Sequence, residues 1–186
     1  AHDSDFYVGT GLFRPGDDDP GTGLWRTRNN AATFEQQNLS DPNISWFSSV
    51  KIHRTNPNIV LAASSNGLFR TSDDGNTWNK IIVGDTTGEP SQRISDLQMD
   101  PSNPDIMYTI RNSYFFRGGM FKSTNAGMNW TALPIGVSNI GNSKISICRD
   151  LPNILYANIT SNTGWATVGI FKSTDAGASW TVNTTA

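Results

Sequence analysis

The side chains that could do chemistry in this sequence form two groups. One group is a set of carboxylates and amides that recurs in the phrase Ser/Thr-x-Asp-x-Gly-x-x-Trp, and carboxylates at fixed spacing can act as general acids, nucleophiles or metal ligands. The other group is a set of aromatic rings with two arginines, a combination that suits stacking on a sugar or burial in a protein interface. The spacing of each group indicates which of these uses applies.

The phrase occurs three times in nearly complete form, and each of its parts has a structural use. The Asp or Asn oxygen accepts backbone N–H groups in a turn, glycine supplies a positive φ, and the tryptophan buries a large ring. A group repeated in every unit serves the unit, so the phrase is predicted to be scaffold, with no catalytic or metal-binding role. Its residues are Thr71, Asp73, Gly75, Trp78, Ser123, Asn125, Gly127, Trp130, Ser173, Asp175, Gly177 and Trp180.

A fourth, degenerate copy of the phrase spans residues 23–34. It places Asn29 at the Asp position and Ala31 at the Gly position. We expect a less regular turn here, with a cost on the order of 1 kcal/mol if φ stays positive at the alanine.

The elements that position these residues recur with the phrase, because its closing aromatic residue returns after 44, 52 and 50 residues. One unit is predicted to contain four short strands, at about 47–53, 58–64, 67–72 and 77–83. Apolar residues alternate in the first strand of the unit, as at Val50 and Ile52, which indicates a half-buried strand. Four antiparallel strands in tandem units of this length predict an all-β chain and a β-propeller. A β-sandwich is the alternative, although it would not require the same turn in every unit.

The predicted propeller has about four blades, the first without its innermost strand, and we expect it to be part of a larger ring. The blades are assigned to residues 1–36, 37–84, 85–134 and 135–186, within a single propeller segment covering 1–186. The phrase and its tandem spacing resemble the Asp-box (BNR) repeats of sialidases, xyloglucanase-type glycosidases and sortilin-type receptors. That resemblance implies rings of six to eight blades, with the boxes at the periphery and away from the ligand face.

Candidate binding residues lie in the loops that break the repeat. Antiparallel connectivity places the loops between the second and third strands of a blade, and those between successive blades, at one face of the propeller, called here the loop face. The alternative is that the rings fold inward between the blades. The candidates for ligand binding on this face are Arg14, Trp46, Phe47, Tyr114, Phe115, Phe116, Arg117 and Trp165.

Other charged side chains receive structural interpretations. A basic residue recurs at one strand position, as Arg26, Arg70, Lys122 and Lys172, and is predicted to be solvated on an outer strand. Asp96, on an inner strand, is predicted to face a solvent channel.

Composition narrows the functional classes. The chain has 186 residues and a net charge of −2 without a basic run, which argues against a nucleic-acid partner. No apolar stretch is long enough for a membrane span. His2 and His53 have no neighbours at metal-ligand spacing, and Cys148 is the only cysteine, so neither a metal, a cofactor nor an internal disulfide is predicted.

The leading hypothesis is a non-catalytic binding module, secreted or at the cell surface, that recognises a glycan or a protein on its loop face. One alternative is a fragment of a glycoside hydrolase, sialidase-like or xyloglucanase-like, whose remaining catalytic residues lie in other blades. Another is an architectural spacer in a large secreted protein. An incomplete ring would also favour self-association, because it leaves sheet faces open.

Overall fold

The computed structural model describes residues 5–12, 19–84, 92–112, 118–137, 139–163 and 166–184. These residues form fifteen strands in four antiparallel sheets. No helix within the described ranges is long and apolar enough to cross a membrane. The all-β prediction is confirmed, and the four sheets are the blades of a partial β-propeller.

Each blade is a meander whose strands pair in chain order, so neighbours in sequence are neighbours in the sheet. Blade 1 consists of β1 (Phe6–Gly9), β2 (Leu24–Thr27) and β3 (Glu35–Gln36). Blade 2 consists of β4 (Phe47–Ile52), β5 (Val60–Ser64), β6 (Gly67–Thr71) and β7 (Asn79–Ile81). Blade 3 consists of β8 (Ile94–Met99), β9 (Met107–Arg111), β10 (Gly119–Ser123) and β11 (Thr131–Ala132). Blade 4 consists of β12 (Lys144–Ile147), β13 (Leu155–Thr160), β14 (Thr167–Ser173) and β15 (Thr181–Thr184).

Within the described residues blade 1 has three strands where the other blades have four, and none of the three corresponds to the innermost strand of the other blades. Its first strand, β1, corresponds to the second strands β5, β9 and β13 of the later blades, as predicted. The outer strands are shorter than predicted. In blade 2, β7 ends at Ile81, and the Val83 N–H instead donates to the Gln92 side chain at 3.0 Å.

The hydrophobic core is divided among the three junctions between blades. The junction of blades 1 and 2 contains Leu24, Leu39, Val60, Ala62, Phe69 and Trp78. The junction of blades 2 and 3 contains Leu61, Ala63, Leu68, Val83, Ile94, Leu97, Met107 and Phe121. The junction of blades 3 and 4 contains Tyr108, Ile110, Met120, Ile135, Ile140, Ile145, Leu155, Ala157, Ile159 and Phe171. Each blade is therefore stabilised mainly by burial of apolar area against its neighbours.

The inner strands of successive blades are also joined by hydrogen bonds. Ser48 and Ser49 of β4 donate their hydroxyls to the backbone carbonyls of Ile94 and Leu97 in β8, at 2.7 and 3.2 Å. These bonds fix the stagger between adjacent blades, because each one requires a particular pair of residues to face each other.

Candidate functional site

The carboxylates of the repeated phrase are fully occupied by their own turns. In blade 2, Asp73 Oδ1 accepts the Thr71 hydroxyl at 2.7 Å and the Thr77 N–H at 2.9 Å. Asp73 Oδ2 accepts the Thr77 hydroxyl at 2.6 Å. These bonds, those from Thr77 first, lower the pKa of Asp73 to about 2. A carboxylate held in this way is a turn acceptor.

Blades 3 and 4 contain the same turn. Asn125 and Asp175 accept the hydroxyls of Ser123 and Ser173, at 3.0 and 2.8 Å. In both blades the indole N–H of the closing tryptophan donates to the carbonyl of the turn glycine at 3.1 Å. Bonds from the Ser179 side chain and backbone lower the pKa of Asp175 to about 2.

The degenerate first copy makes the same hydrogen bonds at Oδ1 of its first turn residue, so the expectation of a less regular turn is wrong. Asn29 Oδ1 accepts the Thr27 hydroxyl at 3.1 Å and the Thr33 N–H at 2.9 Å. The amide oxygen takes the place of the carboxylate Oδ1, and the amide Nδ2 donates to the Thr33 hydroxyl at 2.8 Å, where Asp73 Oδ2 accepts from Thr77. Ala31 has a positive φ of 67°, which is the strained conformation for which a cost was expected at this alanine.

Three of the four recurring basic residues, Arg26, Arg70 and Lys122, are not simply solvated, because each joins its blade to the turn of the next one. Arg26 is 3% exposed. Its guanidinium donates to two oxygens of Asp74, the backbone carbonyl and, at 2.6 Å, the side-chain Oδ1. Arg70 Nε donates to the Ala126 carbonyl at 2.8 Å. The prediction of a solvated position failed because the neighbouring blade, which the sequence of one unit does not reveal, covers the side chain.

Blade 3 repeats this contact with a lysine. Lys122 Nζ donates to the Ala176 carbonyl at 3.1 Å, and the hydroxyl of Tyr108 donates to the same oxygen at 3.3 Å. The ammonium group also lies 5.4 Å from the centre of the Tyr108 ring. Burial, above all, raises the pKa of Tyr108 to about 12, so the phenol stays a neutral donor.

Asp96 was predicted to face a solvent channel, and this prediction is wrong, because the residue is buried, with 4% exposure. Its Oδ1 accepts the Leu97 N–H at 2.9 Å. Its Oδ2 accepts the Ile145 N–H of blade 4, also at 2.9 Å. Asp96 thus joins two inner strands, and the sequence missed this because the donor lies 49 residues away.

The loop face carries a cleft at the junction of blades 1 and 2, with a volume of about 530 Å³. One wall is the end of the loop that leads into β2, and the other is the connection from β3 to β4. Polar lining comes from Thr22, Gln36, Gln37, Asn38, Ser40 and Asp41, and apolar lining comes from Leu24, Leu39, Pro42, Ile44 and Phe47. Such a mixture suits a small polar ligand with an apolar face.

Asp41 is the carboxylate of this lining, and it is already paired. Its oxygens accept the Asn66 amide at 3.0 and 3.1 Å and the Lys80 ammonium at 3.1 Å. Burial opposes its ionisation, but the Asn43 N–H, Lys80 and Asn66 outweigh burial and lower the pKa of Asp41. It therefore stabilises the connection that forms the wall of the cleft.

Of the predicted binding residues, Phe47 lines the cleft. Trp46, its neighbour in the chain, is 2% exposed, so its ring packs inside the protein, as in the alternative interpretation of these rings. The other predicted binding residues lie outside the described ranges: Arg14, Tyr114, Phe115, Phe116, Arg117 and Trp165. The amides of Gln36, Gln37 and Asn38 were missed, since nothing in their local sequence marks them as lining residues.

Other titratable groups have structural partners. His53 is buried, with Nε2 lying 3.1 Å from Asp105 and Nδ1 accepting the Asn56 N–H at 3.1 Å. Within the described ranges, three or more His, Cys, Asp or Glu side chains do not gather anywhere in an arrangement that could hold a metal ion.

Solved structures similar to this chain are large propeller proteins. The xyloglucanase of Xanthomonas campestris, of the GH74 family, matches 95% of the chain at 15% identity with a TM-score of 0.63. The GH74 enzyme of Niastella koreensis matches 98% at 19% identity with a TM-score of 0.64. The extracellular domain assigned to a hybrid two-component system of B. thetaiotaomicron matches 98% at 11% identity with a TM-score of 0.66. The chain has the fold of a β-propeller.

This propeller segment spans 28%, 28% and 21% of the lengths of those three chains. At these identities the likeness shows the fold alone, and it confirms the predicted β-propeller. No protein-family model matches the sequence, and neither does any curated protein.

Proposed function

We propose that this propeller segment is a non-catalytic extracellular module that binds a neutral glycan in the cleft between blades 1 and 2. The observation that carries the proposal is the cleft itself. Its volume of about 530 Å³ lies within the range of roughly 300–1,000 Å³ that is typical of small-molecule sites. It opens on the loop face, where the connections vary from blade to blade above a regular scaffold.

The lining favours a neutral sugar over a charged ligand. Gln36 already donates to the Thr22 carbonyl at 2.6 Å, and Asn38 accepts the Ser40 N–H at 2.9 Å. Each amide has a second N–H and further acceptor capacity, which match the paired donor and acceptor roles of sugar hydroxyls. Phe47 and Ile44 supply an apolar surface for the C–H face of a pyranose ring. Asp41 is neutralised by Lys80 at 3.1 Å, so the described part of the lining has no unpaired carboxylate to attract a cation.

The GH74 enzymes of similar fold direct the choice of probe. Xyloglucan oligosaccharides, which are neutral, are the first ligands to titrate into the purified chain by calorimetry or by NMR shift mapping. Asn38→Ala is expected to weaken binding about fivefold, since a net hydrogen bond contributes about 1 kcal/mol. Phe47→Leu keeps the bulk but removes the ring face, and a loss of roughly 2- to 10-fold is expected.

The matched control is Met128→Ala, because Met128 is exposed in the turn of blade 3, at the opposite end of the blades from the loop face. Its affinity should equal that of the unsubstituted chain. Binding that is unchanged by both cleft substitutions, or no binding to any neutral glycan of a representative array, would contradict the proposal. Capture of a protein through the same cleft residues would favour the protein-binding form of the hypothesis.

The similarity of fold to GH74 enzymes also supports a second candidate, a glycoside hydrolase fragment. Hydrolysis needs two carboxyl groups flanking the scissile bond. In the described lining Asp41 is the only one, and it is bonded to Asn66 and Lys80. We therefore expect no new reducing ends when the chain is incubated with xyloglucan. Their appearance would favour the enzyme over the binding module.

An extracellular location is part of the proposal. It is supported by the extracellular domain among the structures of similar fold. Fractionation of the source cells, followed by detection of this chain outside the cytoplasm, would test it. Detection in the cytoplasm alone would contradict it. Absence of any ligand for an extracellular chain would favour the spacer alternative.

A further inference from the structure

The three junctions between blades are built from the same two complementary sides. One side, called here the basic side, carries the recurring basic residue of the third strand and the residue beside it on the second strand. The other, called here the aromatic side, carries the closing aromatic residue, the apolar residues of the second strand and the box turn. At every junction the basic side of one blade faces the aromatic side of the next.

The polar part of the junction is a hydrogen bond from a basic side chain to a backbone carbonyl in the box turn of the following blade. Arg26, Arg70 and Lys122 donate to the carbonyls of Asp74, Ala126 and Ala176, respectively. The accepting residue lies directly before the glycine of the box and has a positive φ, between 53° and 62°. That conformation turns its carbonyl outward, toward the preceding blade.

Blade 4 carries a complete basic side that no blade of the described residues covers. Lys172 Nζ lies 5.6 Å from the centre of the Tyr156 ring, as Lys122 does from Tyr108 at 5.4 Å. Tyr156 is 37% exposed and Ile170 38% exposed. Their counterparts in blade 3 are Tyr108 and Met120, and both are fully buried.

Blade 1 carries an open aromatic side. Phe6, Val8 and Phe34 are between 37% and 42% exposed. Their counterparts in blade 2, Val60, Ala62 and Trp78, are all buried at the first junction.

The open aromatic side is already ordered. The Phe6 and Phe34 rings pack edge to face with centres 6.0 Å apart. The backbone of Asn30 has a φ of 55°, like that of Asp74, Ala126 and Ala176. Its carbonyl therefore occupies the accepting position of the box turn.

We propose that the basic side of blade 4 docks the aromatic side of blade 1 from a second copy of this chain, as a fourth instance of the junction. In this contact Lys172 donates to the Asn30 carbonyl of the partner copy. Tyr156 and Ile170 pack against its Phe6, Val8 and Phe34. The association is head to tail, since the two surfaces that meet are different parts of the chain.

The test uses the 186-residue chain itself, with its mass followed by sedimentation and native mass spectrometry over a concentration series. A dimer or a larger closed multiple is expected. Ile170→Asp adds a charge to the basic side, and Val8→Asp adds one to the aromatic side. Each is expected to raise the dissociation constant more than about tenfold, because a carboxylate would replace an apolar side chain and be buried in the contact.

A matched control is Leu151→Asp, which adds the same charge at a residue that is 54% exposed and belongs to neither side. It should leave the association unchanged. All three substituted positions are exposed in the single chain, so circular dichroism and the unfolding midpoint should remain those of the parent. Lys172→Met, which keeps the packing but removes the donor, should also weaken association.

Mixing separates a head-to-tail contact from a symmetric one. The Val8→Asp chain keeps its basic side and the Ile170→Asp chain keeps its aromatic side, so an equal mixture should form a heterodimer although neither variant associates alone. A chain that stays monomeric up to its solubility limit would overturn the proposal. So would association that neither substitution weakens, or variants that fail to complement each other.

Discussion

The packing of a box turn against the preceding blade leads to a graded prediction for three glycines that share a positive φ. Gly136, Gly177 and Gly127 have φ values of 74°, 90° and 77°. Alanine at any of them incurs a backbone cost of about 1 kcal/mol. The surroundings differ, so the remaining cost of each substitution measures the local packing.

The magnitudes follow from what an added methyl group would meet. At Gly136 nothing lies within 4 Å, so Gly136→Ala should destabilise by the backbone cost of about 1 kcal/mol alone. At Gly177 the methyl would lie 3.0 Å from Leu133 Cδ1, a tight contact that a small shift relieves. At Gly127 it would overlap Leu61 Cδ2 and lie 3.3 Å from Leu61 Cγ, and Leu61 is fully buried. Overpacking of a core typically costs about 1–3 kcal/mol, so Gly127→Ala should destabilise by about 2–4 kcal/mol in total.

The assay is urea unfolding followed by tryptophan fluorescence. The free energies of unfolding of the three variants are compared with one shared slope (m value) against urea concentration. The expected order of destabilisation is Gly136→Ala, then Gly177→Ala, then Gly127→Ala. A double variant with Leu61→Ala, which removes the obstructing methyl groups, should recover the packing part of the Gly127 cost. Equal destabilisation by the three alanines would refute the inferred contact between the turn and the preceding blade.

Three further predictions concern the turns and the junctions. Ala31→Gly should stabilise the chain by about 0.5–1 kcal/mol, measured by urea unfolding, because glycine relieves the positive φ of 67° at this position. Arg26→Met should destabilise by about 2–3 kcal/mol in the same assay, since it removes charged hydrogen bonds from a buried side chain, whereas Arg28→Met at an exposed position should cost less than about 1 kcal/mol. The pKa values of Asp73 and Asp175 are lowered from 3.8 to about 2, so their stabilisation is complete above pH 3.8 and is lost as the pH falls through 2. The double variant with Asn at both positions should show a flatter decline of the unfolding midpoint across that window, and a decline as steep as the parent's would contradict this assignment.

Much of the architecture could be predicted because its determinants are local. The innermost strands alternate apolar and polar residues, as at Val50, Lys51 and Ile52, and the box turns use side chains that bond to their own backbone within four residues. Even the first copy follows this rule, since Asn29 makes the bonds expected of an aspartate. The predicted irregularity was wrong because it weighed the loss of glycine at Ala31 above the retained acceptor.

The site was less predictable, because a residue's exposure depends on the blade beside it. Phe47 and Trp46 are adjacent in the chain and equally aromatic, yet Phe47 lines the cleft while Trp46 lies in the interior. Gln36 and Asn38 carry no motif, and they line the cleft only because the connection between two blades curves around it.

By itself the sequence determined the repeating unit: four short strands, a turn closed by its own hydroxyl and carboxylate, and a tryptophan that must be buried. These features rest on contacts between residues close in the chain, which spacing and residue type reveal. Only the tertiary structure decided that Arg26 bonds to the next turn, that Asp96 joins two inner strands, and that Phe6 and Tyr156 are exposed on the two outer blades. Each of these depends on how one blade stacks on another. The partners lie about fifty residues apart, and no local pattern encodes that distance.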